Sequence, residues 1–406
     1  MRPSSSPWRD LADQPPPAAP PPGLFDQILA RGPVRAAVSD AQWLRHLLAV
    51  ESALAAAAAA HGLIPPAAAA AIQAACERVA LDPAGLARAA AAGPGNPVLP
   101  LVRELREAAG PEAAGYVHFG ATSQDILDTA AMLVIRDALL LVRAAVRDAA
   151  GAAAALARRH RDTPMAGRTL LRHALPVTFG LVAAGWLTGL DAAGDQLAGA
   201  LDATAVQLGG AVGTRHAYAG AGAGVAAHLA ASLHLATPVL PWHTDRTRIG
   251  LIAGALGTTA GAVGKVARDV SLLAGSDAGE VAEAAPGGSS AMPHKRNPVA
   301  SVAALACAAQ APGLVGTLLG SMVQEHQRAA GAWHAEWRPL RELLVAVGSA
   351  AEWLRVCLSG LTVDTAAMAA NLDRLRAAAG LDDPAGHLRA AGDLVDAALT
   401  AHENRE

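Results

Sequence analysis

The sequence predicts an all-α protein: three helical domains around an elongated central bundle of long helices. Three observations carry this expectation. Hydrophobic residues make up 52% of the 406-residue chain but aromatics only 3%, so the core is built from Ala, Leu and Val. Ala and Leu are strong helix formers, and β-branched residues are comparatively few. Long proline-free stretches with helical patterning recur, the longest running from Thr122 to about Arg161. A chain of this length divides into two or three domains.

The first segment, "MRPSSSPWRDLADQPPPAAPPPG", has prolines but no apolar signal-peptide core, so residues 1–22 read as a disordered leader. An N-terminal helical domain is expected over residues 23–110. Its main helix opens with Ser39 and Gln42 at capping-box spacing and stops at Gly62 and Pro65. A helical hairpin follows to about residue 92, and "GPGNPVLPLVREL" breaks and restarts the chain. The central bundle is expected over 111–352. In its long helix Ile126, Ala130, Leu133, Val134, Leu140 and Leu141 form a stripe, and forty such residues run about 60 Å. Further helical patterns cover roughly 174–207, 223–236, 244–275, 298–328 and 333–358. Residues 353–406 read as a small C-terminal helical cap.

Two stretches, 174–190 and 301–323, approach membrane-spanning character. Both are rich in Ala, Gly and Thr and lack flanking basic clusters, so they read as buried bundle helices. Net charge is −3 and no long basic tract exists, which argues against nucleic acid and anionic membranes as partners. Cys76, Cys307 and Cys357 are odd in number and far apart. They point to a reducing cytoplasm with no disulfide framework and no thiolate metal site.

Three segments carry candidate chemistry. "GGSSAMPHKRNP", within a loop over 285–298, has two glycines and two prolines, which forbid a continuous helix. It holds one of only two lysines, Lys295 beside His294 and Arg296, where Lys265 is the other. A compact ammonium in that setting suits an anionic ligand. P-loop spacing is absent. "YVHFGATSQDILDTA" (116–130) offers Gly120 for a tight turn and Thr122 or Ser123 as helix cap. The free N–H groups and hydroxyls at that helix start suit a carboxylate. "MAGRTLLRHALPVTFG" (165–180) places Arg168, Thr169, Arg172 and His173 just before a long apolar helix. "GAGAG" (220–224) has no preceding strand and reads as a flexible connector.

In their order, these segments resemble the conserved regions of the fumarase/aspartase (class II fumarate lyase) superfamily, from about residue 24 to 400. "GATSQDILDTA", "PWHTDRTRIG", "GKVARDVSLLA", "MPHKRNPVAS" and "GAWHAEWRPLRELL" are most similar to its branch of bacterial carboxymuconate cycloisomerases. The resemblance implies a homotetramer whose sites are each assembled from three subunits, acting on a small polycarboxylate without cofactor or metal. It implies that Ser289, on a mobile loop, is the acid/base. It also implies substrate contacts from His118, Thr122, Ser123, Gln124, Arg168, Thr169, His173, Ser290, Met292, Lys295 and Asn297. A free serine is a weak acid and a weak base, so it depends on lid closure and on nearby dipoles and cations.

Family lyases that eliminate an amine usually carry a His after the Thr of the second region, paired with a Glu five residues beyond the loop Asn. Here those positions are Leu170 and Val302. A leaving amine needs a general acid, and a leaving carboxylate does not. Intramolecular lactone formation, with Ser289 delivering the one proton, therefore fits. A nitrosuccinate-type lyase releasing fumarate fits the two apolar residues equally, since nitrite also leaves without a proton. An amine or alcohol lyase fits less well unless His118 or His173 supplies the acid. A non-catalytic helical scaffold is the third reading, opposed by the retention of Ser289, Lys295 and Asn297. The chain departs from the branch at Leu170, where Trp is usual, at Arg172, where Gln is usual, and in a shortened C-terminal cap.

Overall fold

The computed structural model describes residues 23–380 and 385–405. The leader expected over 1–22 lies outside the described residues. The elements, in order, are α1 (Asp26–Leu29), α2 (Val34–Ala37), α3 (Asp40–Ala60), α4 (Pro66–Arg78), α5 (Pro83–Ala92), α6 (Val98–Ala109), α7 (Pro111–Ala114) and α8 (Ser123–Arg159). A hairpin of β1 (Pro164–Thr169) and β2 (Arg172–Thr178) follows, then α9 (Phe179–Asp202), a 3-10 turn (His216–Ala221), α10 (Gly222–Leu233) and α11 (Thr247–Leu273). The chain continues through β3 (Val281–Ala282), α12 (Val299–Ala308), α13 (Ala311–Gly320), α14 (Ala332–Ser359), β4 (Thr362–Val363), α15 (Thr365–Ala379) and α16 (Ala385–Glu403).

Local signals set the helix starts. Ser39 Oγ accepts the Gln42 N–H at 3.3 Å ahead of α3. The Gln42 amide does not complete a capping box; it bonds His46 at 2.9 Å. Asp82 accepts the Ala84 and Gly85 N–H groups at 3.0 and 2.9 Å, with Pro83 in the first helical position of α5. Thr178 caps α9 through the Leu181 N–H at 3.1 Å.

The 37-residue α8 is the axis of the bundle. α9 and α14 lie along it, α11 packs on both, and α12 joins α11 and α14. Trp186, Phe179 and many Leu, Val and Ala side chains fill the core. α11 and the α12–α13 stretch are long and apolar enough to cross a membrane by composition, yet both pack in this bundle.

The structure corrects the sequence reading in several places. Residues 164–178 form an antiparallel hairpin where a loop and helix start were expected. α9 consequently begins at Phe179. The pattern over 298–328 is two helices, divided at Ala309–Gln310, with Pro312 in the first turn of the second. "GAGAG" is no connector, because Gly222 already begins α10. The helix expected over 333–358 is α14, which runs unbroken to its cap at Gly360.

Candidate active site

The first segment sits at the N-terminus of α8. Gly120 has φ +69°, and a side chain there would meet the Tyr218 ring at 2.8 Å, so only glycine lets this turn close. Tyr218 in turn donates its hydroxyl to the Phe119 carbonyl at 2.9 Å. Asp125, fully buried, accepts the N–H groups of Thr122, Gly209 and Gly210 at 3.0, 2.9 and 2.8 Å, and its Oδ1 lies 2.7 Å from His243 Nε2. One turn later Asp128 receives Arg246 at 2.8 and 3.1 Å and Trp333 Nε1 at 2.9 Å. Arg246 also bonds Glu336 at 2.9 and 2.6 Å. These buried charges bind α8, α11 and α14 together directly beneath the turn. Thr122 and Ser123 remain half-buried at its surface.

Gln124 does not belong with them. It is buried, donates to Asp128 and to the His243 carbonyl at 3.2 and 2.8 Å, and accepts from Arg328 at 3.0 Å. A substrate contact from Gln124 would compete with that network.

The second segment is the hairpin. Leu170 and Leu171 form its tip with φ +50° and +64°, and they are 96% and 76% exposed. Bulky residues in left-handed backbone are strained, and such strain persists where function holds it. Arg168, expected to bind substrate, makes a two-pronged pair with buried Glu280 at 2.8 and 2.9 Å. Asn371 of α15 donates to the same carboxylate at 2.6 Å. The Arg168 charge is thereby compensated within the chain, and the pair holds the hairpin against the bundle. Thr169 and His173 are exposed near the tip. Burial, together with Arg168, Arg374 and Arg172, keeps the His173 pKa below its ordinary value.

The third segment is the loop. Its base is a bridge between Gly287 and Asn297, and Glu283 caps α12 by accepting the Ala300 and Ser301 N–H groups at 2.9 and 2.8 Å. Ser289 is half-buried and accepts the Met292 N–H at 3.2 Å, while Ser290 and Met292 are exposed. An N–H aimed at Ser289 Oγ stabilises negative charge there. The Asn297 amide donates to the Gly288 carbonyl at 3.3 Å. His294, Lys295 and Arg296 are exposed and have no ion-pair partner among the described residues, whereas Lys265 pairs with Asp269.

Arg168 ties the hairpin to Glu280, one residue before β3, so the second segment and the loop base lie near each other. The first segment stands at the opposite end of α8, about 55 Å away along a helix of this length. One chain does not unite the three. Leu170 and Val302 are both exposed, without polar replacement.

Glu51 and His243 are candidates that no motif argument singled out. Glu51 was visible only as a lone acid inside the apolar run of α3, and its side chain touches His118.

A family model described as lyase matches residues 20–313, and the chain belongs to that family. Two relatives share its length well. The 3-carboxy-cis,cis-muconate cycloisomerase of Bradyrhizobium diazoefficiens is 46% identical over 86% of this chain and 79% of its own. A nitrosuccinate lyase of Streptomyces davaonensis is 47% identical over 86% and 77%. The crystal structure of the 3-carboxy-cis,cis-muconate lactonizing enzyme from Pseudomonas putida superposes with a TM-score of 0.87 at 38% identity, covering 94% of this chain and 99% of that one.

Proposed function

We propose that this protein is a 3-carboxy-cis,cis-muconate cycloisomerase, a cytoplasmic enzyme of aromatic-compound breakdown. The observation that carries this reading is the likeness to the lactonizing enzyme of Pseudomonas putida over 99% of that chain; the apolar pair Leu170 and Val302 agrees with it by leaving one acid/base, Ser289, on a loop whose cations have no ion-pair partner among the described residues. In the lactonising direction a substrate carboxylate oxygen adds to the conjugated alkene and forms the C–O bond. The alkene electron pair moves into the neighbouring carboxylate as an enolate. Ser289 then delivers its proton to carbon, and the Met292 N–H and loop cations stabilise the alkoxide until it is reprotonated. Lys295 and Asn297 hold the developing enolate, while Thr122 and Ser123 take another carboxylate at the positive end of α8.

The active form is a homotetramer with each site shared among three subunits. The separation of the segments along α8 supports this, as do Leu251, Val302, Leu319 and Val323, exposed apolar residues on or just beyond α11, α12 and α13. Such a face asks for cover by a second copy. Ultraviolet absorbance of protein mixed with 3-carboxy-cis,cis-muconate is the test. Enzyme-dependent decay without added cofactor is expected, from a species of tetramer mass in light scattering. A flat trace from folded tetramer transfers the assignment to the second reading, fumarate release from nitrosuccinate, which the 47% identical relative favours.

A further inference from the structure

Glu51 lies in the middle of α3 and is 1% exposed. Its Oε1 is 2.5 Å from His118 Nδ1, and its Oε2 is buried without a partner among the described residues. A carboxylate in such surroundings is strongly disfavoured unless a partner compensates it. His118 is that partner. It belongs to the first site segment, four residues before Thr122, in left-handed backbone at φ +65°. The Ala121 N–H closes the turn on the His118 carbonyl at 3.3 Å. The imidazole is 15% exposed, and its Nε2 bonds to nothing among the described residues. The chain thus lacks a His–Glu pair at Leu170 and Val302 but holds one between α3 and the first segment.

We propose that Glu51 is a positioning residue of the site: it grips the Nδ1 edge of His118 and fixes the ring as a cation whose Nε2–H receives a substrate carboxylate at the start of α8. This rests on the polycarboxylate reading above. The charges around the ring favour it. Burial is the largest influence and opposes protonation, as does Arg106 of α6. Glu51, by charge and hydrogen bond, together with Asp125 of α8, outweighs both and raises the His118 pKa above its ordinary value. His173 has no bonded carboxylate among the described residues, and its pKa moves the other way. A buried acid behind an imidazole sets which nitrogen is free and which charge it carries.

The test uses the full-length protein with labelled histidine, read by NMR across pH, and a His118→Gln variant to identify the His118 signal. In wild type His118 is expected to titrate above an ordinary histidine. In Glu51→Gln, which keeps shape and removes charge, that titration moves to lower pH. At a pH between the two titration midpoints the KM for 3-carboxy-cis,cis-muconate rises roughly tenfold or more, and kcat stays within about twofold, the signature of a lost ground-state contact. Unchanged His118 titration in Glu51→Gln overturns the proposal whatever the activity, and an unchanged KM overturns the carboxylate contact. If Glu51→Gln does not assemble, Glu51→Asp decides instead: retained charge with longer reach lowers the titration by less, and no change overturns the proposal. A flat absorbance trace from wild type beside a shifted His118 removes the assigned substrate and supports the grip of Glu51 on the ring.

Discussion

Gly287 and Asn297 exchange both of their backbone hydrogen bonds, N–H to carbonyl each way, at 2.9 Å. The pair closes the loop at its base and leaves residues 288–296 as a tip carrying Ser289, His294 and the two cations Lys295 and Arg296. A Cβ on Gly287 would overlap Val299 at the start of α12. Gly287→Ala therefore displaces the tip without touching the core. The expected result is a loss of about 10²-fold in kcat/KM with an unchanged melting temperature, since small misplacements of reacting groups are that costly.

Ser289→Ala removes the proposed proton donor and leaves the bridge below it intact. Activity is expected to fall by about 10²–10⁴-fold, the worth of a positioned acid/base, with tetramer mass unchanged. Ser290→Ala, at an exposed position, is expected to retain most activity. Steady-state rates of the two variants side by side check the assignment.

Arg246 stands between Asp128 and Glu336, all three buried. Arg246→Leu leaves two carboxylates facing each other without a cation. Breaking such a set costs about 3–5 kcal/mol, a clear drop in denaturant midpoint. Burial already pushes the Glu336 pKa up, so the variant is expected to recover part of its stability as pH falls and one acid takes a proton.

The Glu51–His118 pair carries a sign. The folded pKa of His118 lies above the ordinary histidine value, so its contribution to stability is fully present below about pH 6.5 and is lost as pH rises through the folded value. The difference in melting temperature between wild type and His118→Gln is therefore expected to be larger at pH 6 than at pH 9. A constant difference across that range would sink the linkage.

Much of this was legible in the chain. The α8 start was readable because Gly120 and the cap candidates Thr122 and Ser123 precede a proline-free row of helix formers. The loop was readable because glycine, proline and a rare lysine interrupt that row. The hairpin was not, since Leu170–Leu171 offers none of the Gly or Asn residues that mark a tight turn. Gln124 and Arg168 entered as contacts implied by the family resemblance, and nothing local announced their partners within the chain: His243 lies 119 residues from Gln124, and Glu280 lies 112 from Arg168. Such pairings arise only on folding, and local patterns do not encode them.

The length of α8 has one last consequence. On the shared-site reading proposed above, a catalyst whose parts stand at opposite ends of a rigid rod is inert as a single copy, however well folded. Turnover per chain then climbs with abundance, so that protein concentration itself acts as a threshold on the flow of substrate.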